Sequence, residues 1–150
     1  LRHETKNQLL TIKSKLIDKD KVITIIPTRK LSSTLTVNKK AITENIQIGY
    51  FDTIKVLKNY PGERYIFKKS PNWYYDFVLK NVSDKDMLKY KTLFNVKDNK
   101  SLVIKLIEYA MEKDEVTYFN IYSLNKMIKK YKNSNQKYGI YRVIKDFKSF

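Results

Sequence analysis

The last fifty residues repeat their apolar positions with helical spacing. Apolar side chains recur every three or four residues in three stretches, separated by short polar segments. Ser123 is placed to cap the second stretch, because a serine hydroxyl can accept from the free amide groups of a helix's first turn. The pattern predicts a three-helix unit with helices over 101–111, over 123–131 and from 136 onward, the last carrying the apolar stripe Ile140, Ile144 and Phe147.

Upstream, the pattern changes to β-branched alternation and short apolar runs, which is typical of strands. Pro27 stops the first run, residues 38–40 form a candidate turn, and Pro61 with Gly62 marks a tight turn. The last two strands are expected to pair as a hairpin across 70–72. The predicted strands cover 22–26, 33–37, 42–48, 53–57, 64–68 and 73–79.

Two further helices are predicted outside these stretches. Residues 1–17 carry apolar side chains at near-helical spacing. Ser83 is a candidate N-cap for a helix over 84–94, with Asp84 and Asp86 in the first turn, where the helix dipole favours anions. The pattern therefore predicts an α+β chain: an N-terminal helix and a small β-rich lobe in residues 1–82, followed by a helical unit in residues 83–150.

Length and composition narrow the class of protein. A chain of 150 residues with 42% hydrophobic content can bury one sizeable core or two small lobes. The absence of cysteine excludes disulfides, thiolate zinc sites and thiol nucleophiles, and suggests a reducing compartment. No apolar run approaches the ~18–20 residues of a membrane span. We expect a soluble, intracellular protein of the cytoplasm, nucleoid or an organelle matrix; the pattern predicts no oligomeric state.

Charge points to a class of partner. The chain has 31 basic and 15 acidic residues, a formal charge of +16, and a field of one sign attracts polyanions such as DNA, RNA or anionic membranes. Most of the cations are lysines, which favour phosphate contact over bidentate base reading. In the β-rich lobe, Arg64, Lys68 and Lys69 are predicted phosphate contacts. They lie among aromatic residues that could stack on bases, although most of these rings are expected in the core.

The third C-terminal helix carries the side chains best suited to nucleic acid. Its apolar stripe leaves five residues outside the core that can hydrogen-bond bases, stack on them or neutralise phosphate. The segment 139–147 resembles the reading helix of helix-turn-helix and winged-helix proteins, which implies contact with DNA and makes the helical unit helix-turn-helix-like. The predicted contact residues are Gln136, Lys137, Tyr138, Arg142 and Lys145.

Two shorter resemblances suggest other functions. His3 to Asn7 resembles the phospho-acceptor box of sensor histidine kinases, in which a His-Glu pair starts a dimerisation helix. Residues 35–40 and 52–56 resemble the end of the S4 RNA-binding module. In that module a Val-Asn-Gly-Lys turn precedes a strand, and Lys39 and Phe51 stand here where the module has glycine.

Catalytic and metal-binding patterns are sparse. The carboxylate groups Asp18/Asp20, Asp84/Asp86 and 112–115 fall at helix ends or loops, where capping and solubility explain them, and no phosphate-binding glycine loop occurs. We therefore predict no cofactor, no metal and, more readily than an enzyme, a nucleic-acid-binding protein, with DNA preferred over RNA, acting in regulation, replication or maintenance. The alternatives are an RNA-binding structural component of a ribonucleoprotein or viral assembly, and a phosphotransfer or enzyme fragment that uses His3.

Overall fold

A computed structural model describes residues 23–32 and 38–150 of the protein. Within these residues the chain is mostly helical, with one parallel sheet of two short strands, and is broadly α+β. The predicted helix over 1–17, the predicted strand over 33–37 and His3 lie outside the described residues. In chain order the elements are α1 (Lys39–Lys58), β1 (Ile66–Phe67), α2 (Asn72–Leu79), α3 (Asp84–Phe94), α4 (Asn99–Lys113), β2 (Ile121–Tyr122), α5 (Leu124–Lys132) and α6 (Ile140–Lys145).

Helix α1 replaces two of the predicted strands, over 42–48 and 53–57. The Asn38 side chain accepts a hydrogen bond from the Ala41 amide at 2.7 Å, so the segment predicted as a turn is the start of a helix. At the other end Asn59 adopts a left-handed conformation (φ 50°) that closes the last turn. The β-branched residues in between favour strands locally, but the caps at both ends favour the helix, and the strand prediction was wrong.

Helix α2 replaces the predicted strand over 73–79. Its buried residues are Tyr74, Tyr75, Val78 and Leu79, which are spaced as on one helical face. Pro71 occupies the N-cap position in an extended conformation. The predicted hairpin across 70–72 was therefore wrong, because the aromatic residues that favour strands also pack well on a buried helical face.

The predicted β-rich lobe is reduced to two short strands. β1 pairs in parallel with β2, with Ile66 opposite Ile121 and Phe67 opposite Tyr122. Only the middle of the predicted strand over 64–68 is extended, and its partner comes from a segment that was not predicted as a strand. Residues 23–26, the described part of the predicted strand over 22–26, have no regular secondary structure.

Three of the predicted helices in the second half are confirmed. In α3 the Ser83 hydroxyl accepts from the Asp86 amide at 3.1 Å, as its N-cap role predicts. Helix α4 begins after the cap Asp98, whose carboxylate accepts from the Ser101 amide at 2.8 Å. Helix α5 follows Ser123, which occupies the cap position without a side-chain cap bond.

The last predicted helix is shorter than expected. α6 has six residues and begins after Gly139, which has a positive φ of 61°. Gln136, Lys137 and Tyr138 therefore lie in the turn before α6, and their predicted placement on a helix was wrong. The predicted burial of Ile140, Ile144 and Phe147 is confirmed, although Phe147 follows the last residue of α6.

The hydrophobic core runs from Tyr65 to Phe147 and surrounds α4. Helices α2, α3, α5 and α6 all pack against α4, and eight of its residues are buried. Residues on both sides of position 82 belong to this core, so the predicted division between 1–82 and 83–150 falls inside it. Packing around α4 places α3 and the α5–α6 turn beside each other.

Candidate functional site

An open groove lies between α3, the end of α4 and the turn that joins α5 to α6. Its volume is about 550 Å³, within the range of small-ligand sites. We call it the tyrosine groove because four tyrosines line it. The lining residues are Lys89, Tyr90, Leu93, Tyr109, Lys113, Gln136, Tyr138, Gly139, Ile140 and Tyr141.

The four tyrosines divide into a buried and an exposed pair. Tyr90 and Tyr141 are buried, whereas Tyr109 is 38% exposed and Tyr138 is 88% exposed. The Tyr90 ring stacks with Phe94 at 6.3 Å between centroids, and Phe94 in turn contacts Tyr109 at 6.4 Å. Tyr109 therefore belongs to an aromatic network of α3 and α4, while Tyr138 is supplied by the turn.

The buried phenols of the groove stay uncharged over a wide pH range. Burial raises the pKa of Tyr90 above its ordinary value. Burial also raises the pKa of Tyr141, and it outweighs the opposing effect of the nearby Gln136 side chain. The two rings thus add no negative charge that would repel an anion.

Lysines supply the charge of the groove. The Nζ atom of Lys89 lies 5.3 Å from the centroid of the Tyr90 ring, and that of Lys113 lies 5.6 Å from the Tyr109 ring, both within cation–π range. No carboxylate lines the groove. Among residues 23–32 and 38–150, the ion pairs use Arg64, Lys105, Lys130 and Arg142, so Lys89 and Lys113 form no ion pair with a described carboxylate.

This combination of groups has a definite binding chemistry. Exposed aromatic rings can stack on planar bases, and lysines beside them can neutralise the phosphates that connect those bases. The arrangement has no paired carboxylates that could exchange a proton with a substrate. The groups that line the groove can therefore stack on planar rings and neutralise phosphate.

Three residues predicted from the third helix meet at this groove. Gln136 and Tyr138 line it, and Lys137 lies with them in an adjoining depression that Asn135 and Tyr141 complete. Lys137 is exposed and forms no ion pair with a described carboxylate. The turn thus presents three candidate contact residues, although a turn and not a helix carries them.

The other two residues predicted from that helix lie outside the groove. Arg142 is exposed, as predicted, but its guanidinium is 2.8 Å from Asp86 of α3, and this pair ties α6 to α3. Lys145 is half-buried in the last turn of α6. Arg142 donates to Asp86 through one nitrogen, so a contact with guanine would have to use its remaining N–H groups.

The predicted contacts near β1 do not line the groove either. Arg64 pairs with Glu112, and its backbone amide donates to Glu108 at 2.8 Å. Lys68 and Lys69 follow β1 and are exposed. Their contact with phosphate stays a prediction.

Five groove residues were not singled out from the sequence: Lys89, Tyr90, Leu93, Tyr109 and Lys113. A signal for two of them was present, because Tyr109 and Lys113 are four residues apart in a predicted helix and therefore share a face. Lys89 and Tyr90 became groove residues only because α3 packs beside the α5–α6 turn.

Several carboxylates of the described residues have structural partners. Glu108 is buried, and one of its oxygens accepts from the amides of Glu63, Arg64 and Tyr65 at 2.6–3.0 Å. Among residues 23–32 and 38–150, no three His, Cys, Asp or Glu side chains gather where they could hold a metal ion. Across the described helices we find no stretch with the length and hydrophobicity that a membrane crossing requires.

Comparison with known proteins yields no relative from which a function could be transferred. No family model matches the chain, and neither a curated protein nor a solved structure is significantly similar to it. The function must therefore be argued from the groove and the charge of the chain.

Proposed function

We propose that the protein binds nucleic acid and that the tyrosine groove is part of the interface. The observation that carries the proposal is the lining of the groove, in which aromatic rings and lysines occur together without a carboxylate. The formal charge of +16 adds long-range attraction for a polyanion. Phosphates would lie against Lys89 and Lys113 of the groove and Lys137 of the adjoining depression.

The proposal keeps the C-terminal helices as the contact region but moves the contact away from α6. Four of the six residues of α6 are buried, and Arg142 is engaged by Asp86. A reading helix needs an exposed face that can enter the major groove, whereas the turn before α6 offers exposed side chains. The preference for DNA over RNA stays a prediction, as does the role in an RNA–protein assembly.

A salt series tests the proposal directly. Dissociation constants are measured for duplex DNA, single-stranded DNA and RNA of equal length at increasing salt concentrations. Because each phosphate contact releases condensed counterions, the logarithm of the affinity should fall linearly with the logarithm of salt, by about 0.9 per contact for duplex DNA and about 0.7 for single strands. Absence of binding at low salt, or an affinity independent of salt, would contradict the proposal.

Lysine variants locate the interface. Lys89→Ala and Lys113→Ala should each reduce the slope of log affinity against log salt by the amount of one phosphate contact. That amount is about 0.9 on duplex DNA and about 0.7 on a single strand. Lys58, an exposed lysine in the last turn of α1, provides a matched control outside the groove. If Lys58→Ala lowered the slope equally, the total charge and not the groove would set the affinity. Lys68→Ala and Lys69→Ala test in the same assay whether the interface reaches β1.

A further inference from the structure

The exposed rings of the tyrosine groove point to the kind of nucleic acid that fits it. In a duplex, neighbouring base pairs cover both faces of each base, so a side chain can stack on a base only in a single strand or after the base is flipped out. Tyr138 and Tyr109 offer rings that are 88% and 38% exposed. Such rings can stack on unpaired bases, whereas the paired bases of a duplex leave no free face for them.

The turn that carries Tyr138 is anchored at both ends. On one side the Ser134 hydroxyl donates to the carbonyl of Tyr131 at 2.8 Å, and Tyr131 is buried. On the other side Ile140 is buried in the core. Because both ends are held, ordering Tyr138 against a base costs less conformational entropy than ordering a ring on a free loop.

The cations of the groove and of the adjoining depression lie close to these rings. Lys113 is one helical turn from Tyr109 on α4, and Lys137 directly precedes Tyr138. In a single strand, successive phosphates lie on either side of each stacked base, so aromatic and cationic groups must alternate along the binding surface. Lysine also suits a binder that does not select sequence, since it contacts phosphate as a point charge.

Helix α6 offers few side chains that could read the base edges of a duplex. Outside the core, α6 offers Arg142 and Lys145, and Arg142 is already paired with Asp86. Because Asp86 already accepts from one nitrogen of Arg142, a bidentate contact with guanine would have to use the remaining N–H groups. The groups for stacking are thus available, whereas those for base-edge reading are occupied or few.

We infer that the tyrosine groove binds unpaired bases of a single-stranded nucleic acid, stacked against Tyr138 and Tyr109, with Lys113 and Lys137 on the flanking phosphates. The inference rests on the proposed function and narrows its substrate class from nucleic acid to single strands. DNA and RNA share this chemistry, since every base has a stacking face.

The test separates the contribution of the bases to the affinity from that of the phosphates. Binding of the full chain is measured for an oligothymidine of about eight nucleotides, an oligouridine of the same length, and an abasic DNA chain that has the same phosphates and no bases. The oligothymidine, the oligouridine or both should bind more tightly than the abasic chain, by a factor of about 5 to 150 for each base that stacks. Equal affinity for the abasic chain would overturn the inference and leave the proposed function intact. Failure of all three probes to bind would also overturn the inference, and it would overturn the proposed function only if the duplex DNA of the salt series did not bind either.

Tyrosine variants assign the base-dependent part to the groove. Tyr138→Ala should remove most of the advantage over the abasic chain, and Tyr138→Phe should retain it, because phenylalanine keeps the ring. Tyr50 is 59% exposed on α1 outside the groove, so Tyr50→Ala is the matched control and should change nothing. A loss as large in Tyr138→Phe as in Tyr138→Ala, or an equal loss in Tyr50→Ala, would show that stacking in the groove is not the cause. Thermal unfolding of each variant confirms that it is folded, as the exposure of both side chains predicts.

Discussion

Helices α1 and α4 are the two longest described helices, and they are held in different ways. α4 buries eight of its 15 residues at the centre of the core, whereas α1 buries three of its 20. α1 leaves an exposed apolar stripe that consists of Ile42, Ile46, Tyr50 and Leu57. The comparison shows that a long helix with regular apolar residues need not lie in the core.

Polar side chains hold the segment around α1. Asp52 is buried and accepts two hydrogen bonds from Thr28, from the amide at 2.9 Å and from the hydroxyl at 2.7 Å. Asn45 accepts from the Ser32 amide at 3.0 Å, and Lys55 donates to the Glu63 carbonyl at 3.0 Å. Since hydrogen bonds contribute less net stability than a buried apolar side chain, we expect α1 to unfold more readily than α4.

The largest difference in the free energy of unfolding should appear when one leucine in each helix is replaced by alanine. Leu106 in α4 is fully buried, so Leu106→Ala should cost about 2–5 kcal/mol through lost burial and a cavity. Leu57 in α1 is 59% exposed, and Leu57→Ala should change the free energy of unfolding by less than about 0.5 kcal/mol. Urea denaturation measures both. A cost for Leu57→Ala as large as that for Leu106→Ala would mean that the stripe on α1 is covered in solution.

A second comparison replaces the buried carboxylate on each helix. Glu108→Ala leaves the buried Tyr65 amide without an acceptor and should cost about 1–3 kcal/mol. Asp52→Ala should cost about 0.5–1.5 kcal/mol, because the partly exposed Thr28 donors can turn to water. Glu108→Gln keeps an oxygen acceptor and should lose less than Glu108→Ala. Equal losses in the glutamine and alanine variants would indicate that the amide bonds of Glu108 contribute little.

A change of pH should alter the free energy of unfolding less than the Glu108 substitutions do, because protonation leaves the oxygens of Glu108 in place. Burial raises the pKa of Glu108 above 4.5, although the amides of Tyr65 and Arg64 oppose the shift. The folded protein therefore holds this proton more tightly than the unfolded chain does, and the contribution of Glu108 to stability falls as the pH rises through its raised pKa. Relative to Glu108→Gln, the protein should lose stability from acidic to neutral pH. The free energy of unfolding of the parent protein minus that of Glu108→Gln should therefore decrease as the pH rises. If this difference stayed constant or increased with pH, the raised pKa of Glu108 would be contradicted.

The C-terminal helices show which parts of the fold can be predicted from local sequence signals. Helices α3, α4 and α5 were predicted from apolar spacing and from caps such as Ser83, because these signals lie within a few residues of each other. The predictions for α1 and α2 were wrong, since β-branched and aromatic residues pack well on a strand and on a buried helical face alike. For α1 the decisive signals were the caps Asn38 and Asn59, and their effect outweighed the strand pattern between them.

The sequence by itself determined the excess of cations, the absence of cysteine chemistry, the apolar stripe of α6 and the presence of Tyr138 beside Lys137. Only the tertiary structure decided that Tyr138 meets Tyr109 and Lys89, because these residues come from three segments that share no local pattern. It also decided that Arg142 is engaged by Asp86, 56 positions earlier in the chain. The physical reason is the same in each case: spacing along the chain reports which side chains share a face, whereas packing around α4 determines which faces meet.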